Sequence, residues 1–501
     1  VSRLVSLPVV VPLLGAALTL MLARRPRVQR AISVTCLVTT LTVAVALLVQ
    51  AYRYGPVVTQ IGAWPAPVGI VLVADQLAAL MLVVSAAVTL CVLLYSIGQG
   101  QGDFGDVPPV TIYHPTYLVL TAGVTNAFLA GDLFNLFVGF EILLAASFVL
   151  ITLGGTEARI RTGSTYVVVS ILSSMLFLTG VGLVYAATGT VNLAQLAHRL
   201  DALPAGVRLM LELTLLLAFG IKAAVFPLSA WLPDSYPTAP APVSAVFAGL
   251  LTKVGVYAII RTETLLFPGG HAGTLLLVVA GLTLIVGILG AVAQSDLKRL
   301  FSFTLVSHIG YMIFGVALGS VAGLTGAIFY VLHHITIQTT LFLVVGLIQV
   351  RAGSTDLRRI GGLARVAPVL GVIFFVPAMN LAGIPPFSGF LGKVSLFQAG
   401  VAAGGPLPGA LIAAGALTSL LTLYVASRVW NIAFWRAPQL ATEEPAARPP
   451  GLMVGATVAL VALGLAMTVV AGPLFRVTAD AAVDLRQRTP YVRAVLPHGA
   501  P

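Results

Sequence analysis

Charge is what this 501-residue chain has least of: Asp, Glu, Lys and Arg make up 9%, beside 58% hydrophobic residues. Soluble domains carry roughly 25% charged residues, so an ordinary soluble enzyme is excluded. Cysteine is nearly absent. Cys36 and Cys91 each stand alone in an apolar run, which excludes a disulfide framework and a CxxC redox or metal motif. A zinc site lacks clustered Cys, His and carboxylate ligands, and a haem site lacks matched histidines on two helices. The stretch Gly389-Phe-Leu-Gly392-Lys393-Val394-Ser395 imitates a phosphate loop. It puts Phe387 where the first glycine belongs and Val394 at the Ser/Thr position, so no nucleotide site and no cofactor are expected.

What is there is apolar sequence in runs of about 20 uncharged residues, each long enough to cross a hydrocarbon core of ~30 Å. A transmembrane barrel would need shorter segments alternating polar and apolar, whereas 118–130 and 274–293 are apolar throughout. The chain therefore reads as an all-α polytopic membrane protein. Runs near 4–23, 31–52, 74–97, 114–130, 132–153, 163–187, 207–229, 241–261, 273–293, 300–319, 322–350, 366–402, 408–434 and 452–474 give about fourteen transmembrane helices. The net charge of +11 comes from arginines in short loops, which fits membrane topology and not nucleic acid. Placing Arg24, Arg25, Arg27, Arg159, Arg161, Arg358 and Arg359 in the cytoplasm puts both termini outside. The first span runs into Arg24-Arg25-Pro26-Arg27, a retained anchor and not a cleavable leader, and Val1 reads as a start codon translated literally.

Two spans are too interrupted to be simple helices. One runs through Lys222-Ala-Ala-Val-Phe-Pro227 to Pro233 and Pro237, the other through Gly383-Ile-Pro385-Pro386-Phe-Ser-Gly389. Proline removes a donor and clashes with the preceding turn. Broken helices at membrane depth persist where protein or a wet cavity satisfies the freed carbonyls, and paired broken helices point to transport sites. Glu141 precedes Lys222 by 81 residues and His308 precedes Lys393 by 85, a spacing that suggests two related halves.

Lysine is the telling count, four against 23 arginines. Lys298 is assigned to a loop, while Lys222, Lys253 and Lys393 fall inside spans. Arginine does not deprotonate in proteins, whereas a buried lysine does so readily. Glu141 has only Phe137, Val138, Leu144 and Ala145 at helical i±3 and i±4 spacing, and the lysines are equally isolated, so partners must come from other helices. A charge at the bilayer centre costs at least ~3 kcal/mol, which implies a polar axis through the bundle. The competing reading is a static salt bridge that pins helices. His333 and His334 read either as a proton relay or as satisfied core histidines, Asp132 and Asp234 suit capping or loop roles, and Glu212 and Asp75 lie too near span starts to assign. The amphipathic stretch 60–73 and the basic tail from Arg476 read as loop or as docking surfaces.

The segments Leu133-Phe-Asn-Leu-Phe-Val-Gly-Phe-Glu141, Gly220-Ile-Lys222-Ala-Ala-Val-Phe-Pro-Leu-Ser-Ala-Trp-Leu-Pro-Asp234-Ser-Tyr-Pro and Ala248-Gly-Leu-Leu-Thr-Lys253-Val-Gly-Val-Tyr resemble the antiporter-like subunits shared by respiratory complex I, membrane hydrogenases and Mrp-type multisubunit cation/proton antiporters. Asp-Ser-Tyr-Pro after Trp-Leu-Pro, Lys393 in the second broken helix and the chain length are most similar to the D-subunit branch of the Mrp type. The resemblance implies two inverted five-helix repeats with broken helices 7 and 12: helices 1–3 in 1–113, repeats in 114–262 and 263–435, and a last helix with a basic tail in 436–501. It also implies roles for the matching positions: Glu141 and Lys222 as a modulating ion pair, Lys253 as central relay, His333 or His334 as bridge, and Lys393 as terminal proton donor or acceptor. The partners implied are other subunits of a hetero-oligomeric complex in a bacterial cell membrane, the lipid bilayer, H+ and Na+. A redox-driven pump subunit and a non-transporting membrane scaffold are the alternatives.

Overall fold

The computed structural model describes residues 2–100, 110–437 and 447–497. The expectation for Val1 falls outside them. The apolar runs overlap helix, with 207–229 and 366–402 interrupted by breaks, and eleven described helices are long and apolar enough to cross a membrane. In chain order the helices are α1 (Leu7–Met21), α2 (Pro26–Tyr54), α3 (Gln76–Gly98), α4 (Val110–Leu129), α5 (Leu133–Thr152), α6 (Glu157–Thr188), the short α7 (Leu193–Arg199) and α8 (Ala205–Ala223). Then come α9 (Trp231–Ser235), α10 (Ala241–Leu266), α11 (Gly273–Val292), α12 (Leu297–Ala317), α13 (Val321–Ala352), α14 (Pro368–Ala382) and α15 (Ser388–Ala403). The chain closes with α16 (Pro406–Trp435), α17 (Gly451–Val469), α18 (Ala471–Gln487) and α19 (Thr489–Val495).

Polar residues are placed where helix ends need them. Asp75, Asp132, Asp296 and Ser320 accept the orphan N–H of Ala78, Asn135, Arg299 and Gly323 at 2.9, 2.6, 3.0 and 3.0 Å, the N-cap geometry that satisfies an otherwise unpaired donor. Asp132 is thus the cap that its span-end position suggests. Asp234, in α9, instead pairs with Arg299 at 2.8 Å on the surface.

The apolar windows of α10 and α13 are 100% buried, against 33% for α1, α2, α16 and α17. Without a lipid-facing side, α10 and α13 form the centre of the bundle, and they carry Lys253 and the His333-His334 pair. The outer helices expose apolar side chains as a lipid-facing surface does, as with Val168 and Met175 on α6.

Three expectations are corrected. Residues 60–73 are not a plain loop: Val57–Gln60 (β1) and Val71–Ala74 (β2) form an antiparallel hairpin with Val57 opposite Ala74. The tail is not a loop either, since it folds as α18 and α19, whose Ala481, Ala482, Leu485 and Val495 are buried. Lys298 is not in a loop but in the first turn of α12, buried, with its ammonium 3.4 Å from the Ala239 carbonyl.

Candidate functional site

The two expected breaks have the same local construction. Helix α8 ends as Ala224 turns left-handed (φ 57°), and a cis Phe226-Pro227 bond follows before α9. Helix α14 ends as Gly383 turns left-handed (φ 84°), and a cis Pro385-Pro386 bond follows before α15. Each break leaves helix-end carbonyls without an intrahelical donor. Side-chain donors reach these ends: Trp231 Nε1 meets the Ile221 carbonyl at 3.2 Å beside the Ala224 amide at 3.1 Å, and Lys393 Nζ reaches the Leu381 and Ala382 carbonyls, both at 2.9 Å. The C-terminal end of a helix dipole favours a cation, so the break in α14 builds the cradle that Lys393 occupies.

Lys222 lies in the last turn of α8. Its ammonium donates to Ser174 Oγ at 3.0 Å and to the Ser170 carbonyl at 3.3 Å, both on α6, and stands 5.6 Å from the centre of the Phe140 ring. Glu141, next to Phe140 on α5, exerts a Coulombic pull on Lys222. Yet no carboxylate comes within the 4.0 Å of a salt bridge to Lys222 among the described residues. Among the described residues Glu141 Oε1 is buried with no hydrogen-bond partner. The expected ion pair is therefore a pair of neighbours held apart.

Lys253 is fully buried in α10. A π turn over Phe247–Leu251 precedes it, a distortion frequent at functional sites, and Lys253 Nζ bonds the Ala248 carbonyl within that turn at 2.7 Å. Helix α10 can lie this close to α8 because of Gly255, where a Cβ would stand 2.6 Å from the Ala223 nitrogen.

Between Lys253 and Lys393 lie three buried imidazoles. His308 on α12 is held by the Tyr330 hydroxyl at Nδ1 (2.8 Å) and Thr422 Oγ1 at Nε2 (3.2 Å), and Thr422 in turn donates to the Thr418 carbonyl at 2.7 Å. Because the Thr422 hydroxyl hydrogen is committed to the Thr418 carbonyl, Thr422 accepts from His308 Nε2–H and the Tyr330 hydroxyl donates to Nδ1. His333 Nδ1 meets Ser388 Oγ at 3.0 Å, at the start of α15, while its Nε2 has no partner. Both ring nitrogens of His334 are buried without a hydrogen-bond partner among the described residues, and its ring centre is 5.5 Å from that of His308. The charge of Lys253 reaches His334 and His308, and that of Lys393 reaches all three rings. Lys393 completes the row 5.1 Å above the Tyr311 ring.

The NADH:quinone oxidoreductase/Mrp antiporter, TM family matches residues 130–422, more than half of the chain and all of the stretch from Glu141 to Lys393. The chain belongs to this family. Its relatives include the D subunit of the Na(+)/H(+) antiporter of Alkalihalophilus pseudofirmus, 40% identical over 499 residues and covering 99% of both chains. The corresponding Bacillus subtilis protein is 40% identical over 437 residues, 87% of each chain. Among solved structures, a chain of the Mrp complex from Dietzia sp. DQ12-45-1b superposes with a TM-score of 0.92 at 33% identity, covering 99% of this chain and 100% of that one. A chain of respiratory complex I from Thermus thermophilus superposes with a TM-score of 0.82 at 26% identity, covering 97% of this chain and 99% of that one.

Beyond the motifs that carry this family likeness, the row holds residues that sequence reasoning misses. His308 is legible as an ionisable residue inside a span and by its spacing from Lys393, though without an assigned role, and Tyr330, Tyr311, Thr422 and Ser388 do not stand out at all. Tyr330 lies three and four residues before His333 and His334 on one helix, a spacing that shares a face and could have found it.

Proposed function

We propose that the chain is the proton-translocating subunit of a multisubunit Na+/H+ antiporter, and that protons move along Glu141, Lys222, Lys253, His334 with His308 and His333, and Lys393. The observation that carries this reading is how the three lysines are held. Among the described residues, Lys222, Lys253 and Lys393 bond to carbonyls and one serine hydroxyl and to no carboxylate. A carboxylate at ~4 Å would fix each ammonium by about 4 kcal/mol at an effective dielectric of ~20. Neutral oxygens hold the group in place without locking its proton. Glu141 is the nearby carboxylate whose approach to Lys222 would retain the proton and whose withdrawal would free it.

His334 is the ring assigned to bridge Lys253 and Lys393, because its nitrogens are uncommitted and both lysines act on it. The chain is a component of a transporter and not an enzyme. Its partners are the other subunits of the assembly, and its setting is the bacterial cell membrane with both termini outside. The four-part division at 113, 262 and 435, with inverted repeats, is the organisation that fits the paired breaks. The redox-driven alternative has less support, since the complex I likeness is 26% identical and the likeness to the antiporter relatives 40%.

The test is Na+-dependent dissipation of ΔpH in inverted vesicles carrying the whole complex, comparing wild type with Lys222→Ala and Lys393→Ala at matched assembly on native gels. Exchange should be lost while the complex stays intact. Unimpaired exchange would leave the lysines as structural pins and support a scaffold.

A further inference from the structure

Glu212 and Glu263 take no part in the lysine row, yet they form a second acidic site, Glu212 buried and Glu263 half-buried. Glu212, on α8, is 1% exposed. Glu263 lies in the last turn of α10, ten residues beyond Lys253, about 15 Å along the helix. The loop joining α10 to α11 closes over them. Ala272 N donates to Glu212 Oε1 at 3.4 Å, and a Cβ at Gly270 would overlap the same carboxylate.

Among the described residues Glu212 Oε2 and Glu263 Oε1 are each buried with no hydrogen-bond partner, and the two carboxylates act on one another through space. Arg208 acts on both; one terminal guanidinium nitrogen is engaged by Asp201 at 3.4 Å and the Pro268 carbonyl at 3.3 Å, and its Nε has no hydrogen-bond partner among the described residues. His271 flanks Glu212. Beside Glu263 and Gly270 opens a cavity of about 310 Å³, lined also by Thr264 and by Arg486 from α18, with room for several waters.

A buried carboxylate oxygen with no donor is costly while ionised, and two such groups in mutual range disfavour double ionisation. One proton held by the pair relieves both. We propose that Glu212 and Glu263 form a proton-binding carboxyl pair that exchanges protons with water in this cavity, on the Lys253-bearing helix. The proposal rests on the proton-translocation reading and adds a mouth to it.

The test uses the assembled complex, purified and reconstituted. Infrared difference spectra across a pH titration should show a protonated-carboxyl C=O band that is lost in Glu263→Gln and in Glu212→Gln, and the pH of half-maximal exchange should move by about one unit or more. If the glutamine variants fail to assemble, Gly270→Ala displaces the Glu212 carboxylate with the charge count unchanged and should shift the band. A band and pH profile identical in wild type and variants would overturn the proposal. So would a raised KM for Na+ with an unmoved pH profile, which would make the pair a Na+ site. Lys393→Ala separates the two readings: the band should persist there whether or not the lysine row carries exchange.

Discussion

At the scale of single residues, the question is whether a buried base serves proton transfer or merely fills space, and chemically matched substitutions separate the two. Lys253→Arg keeps a cation at the Ala248 carbonyl but cannot release its proton. If Lys253 relays, this variant should lose exchange as fully as Lys253→Ala in complexes that assemble equally on native gels; a pin would tolerate it. His334 offers the converse. Both its nitrogens are buried and unbonded, so His334→Leu leaves no partner unsatisfied and removes a polar group whose burial costs about 1–3 kcal/mol. The midpoint of thermal unfolding should rise or hold, while exchange should fall by about a hundredfold or more, the low end of what a positioned acid–base group contributes. A core histidine would leave exchange unchanged.

At the scale of elements, the breaks in the two long spans decide where the lysines sit. Gly383 has φ 84°, and a Cβ there would stand 2.9 Å from Lys393 Cδ and 3.0 Å from its Nζ. Gly383→Ala should therefore cost about 1–2 kcal/mol of backbone strain and push the ammonium off the Leu381 and Ala382 carbonyls. The expected result is a lower unfolding midpoint together with reduced Na+-dependent exchange. Ala224, already left-handed at φ 57°, should accept glycine with both measurements held or improved. The breaks themselves are legible in the sequence, because proline and glycine mark them whatever the tertiary context. What Lys393 bonds to is not, since the acceptors exist only once α14 has ended and α15 has folded back. Lys298 is easily misplaced because Gln294-Ser295-Asp296 looks like a turn. Asp296 is in fact an N-cap bonding Arg299 N at 3.0 Å, and an Asp before an apolar run is a helix start signal. The tail reads as loop because its arginines outweigh the apolar face of α18, which shows only once something packs against it.

At the scale of the whole molecule, one end of the bundle is tied together by a buried ion pair remote from the lysine row. Asp75, the N-cap of α3, takes two bonds from Arg261 of α10, at 2.5 and 2.9 Å, and Arg261 also donates to the Tyr257 hydroxyl at 3.0 Å. The tail closes over this pair. Tyr491 lies 5.2 Å from the Arg261 guanidinium, Gln76 bonds Asp484 at 3.1 Å, and Arg488 bonds Asp201 at 2.7 Å. Arg261 is eight residues from Lys253 on the same helix, so this clamp sets where the outer part of α10 sits and holds Lys253 and Glu263 against their neighbours. Removing one partner leaves a buried charge uncompensated, which costs about 3–5 kcal/mol, whereas replacing both by apolar groups is often neutral or stabilising. Asp75→Asn alone should therefore lower the unfolding midpoint and the yield of assembled complex, whereas Asp75→Leu with Arg261→Met should recover both, as read by thermal melts and native gels. Exchange then distinguishes packing from a proton role: because neither residue lies in the row, the recovered double variant should exchange at close to the wild-type rate. Recovery of assembly without recovery of exchange would place the Asp75–Arg261 pair in the proton path and redraw the route at this end of the molecule.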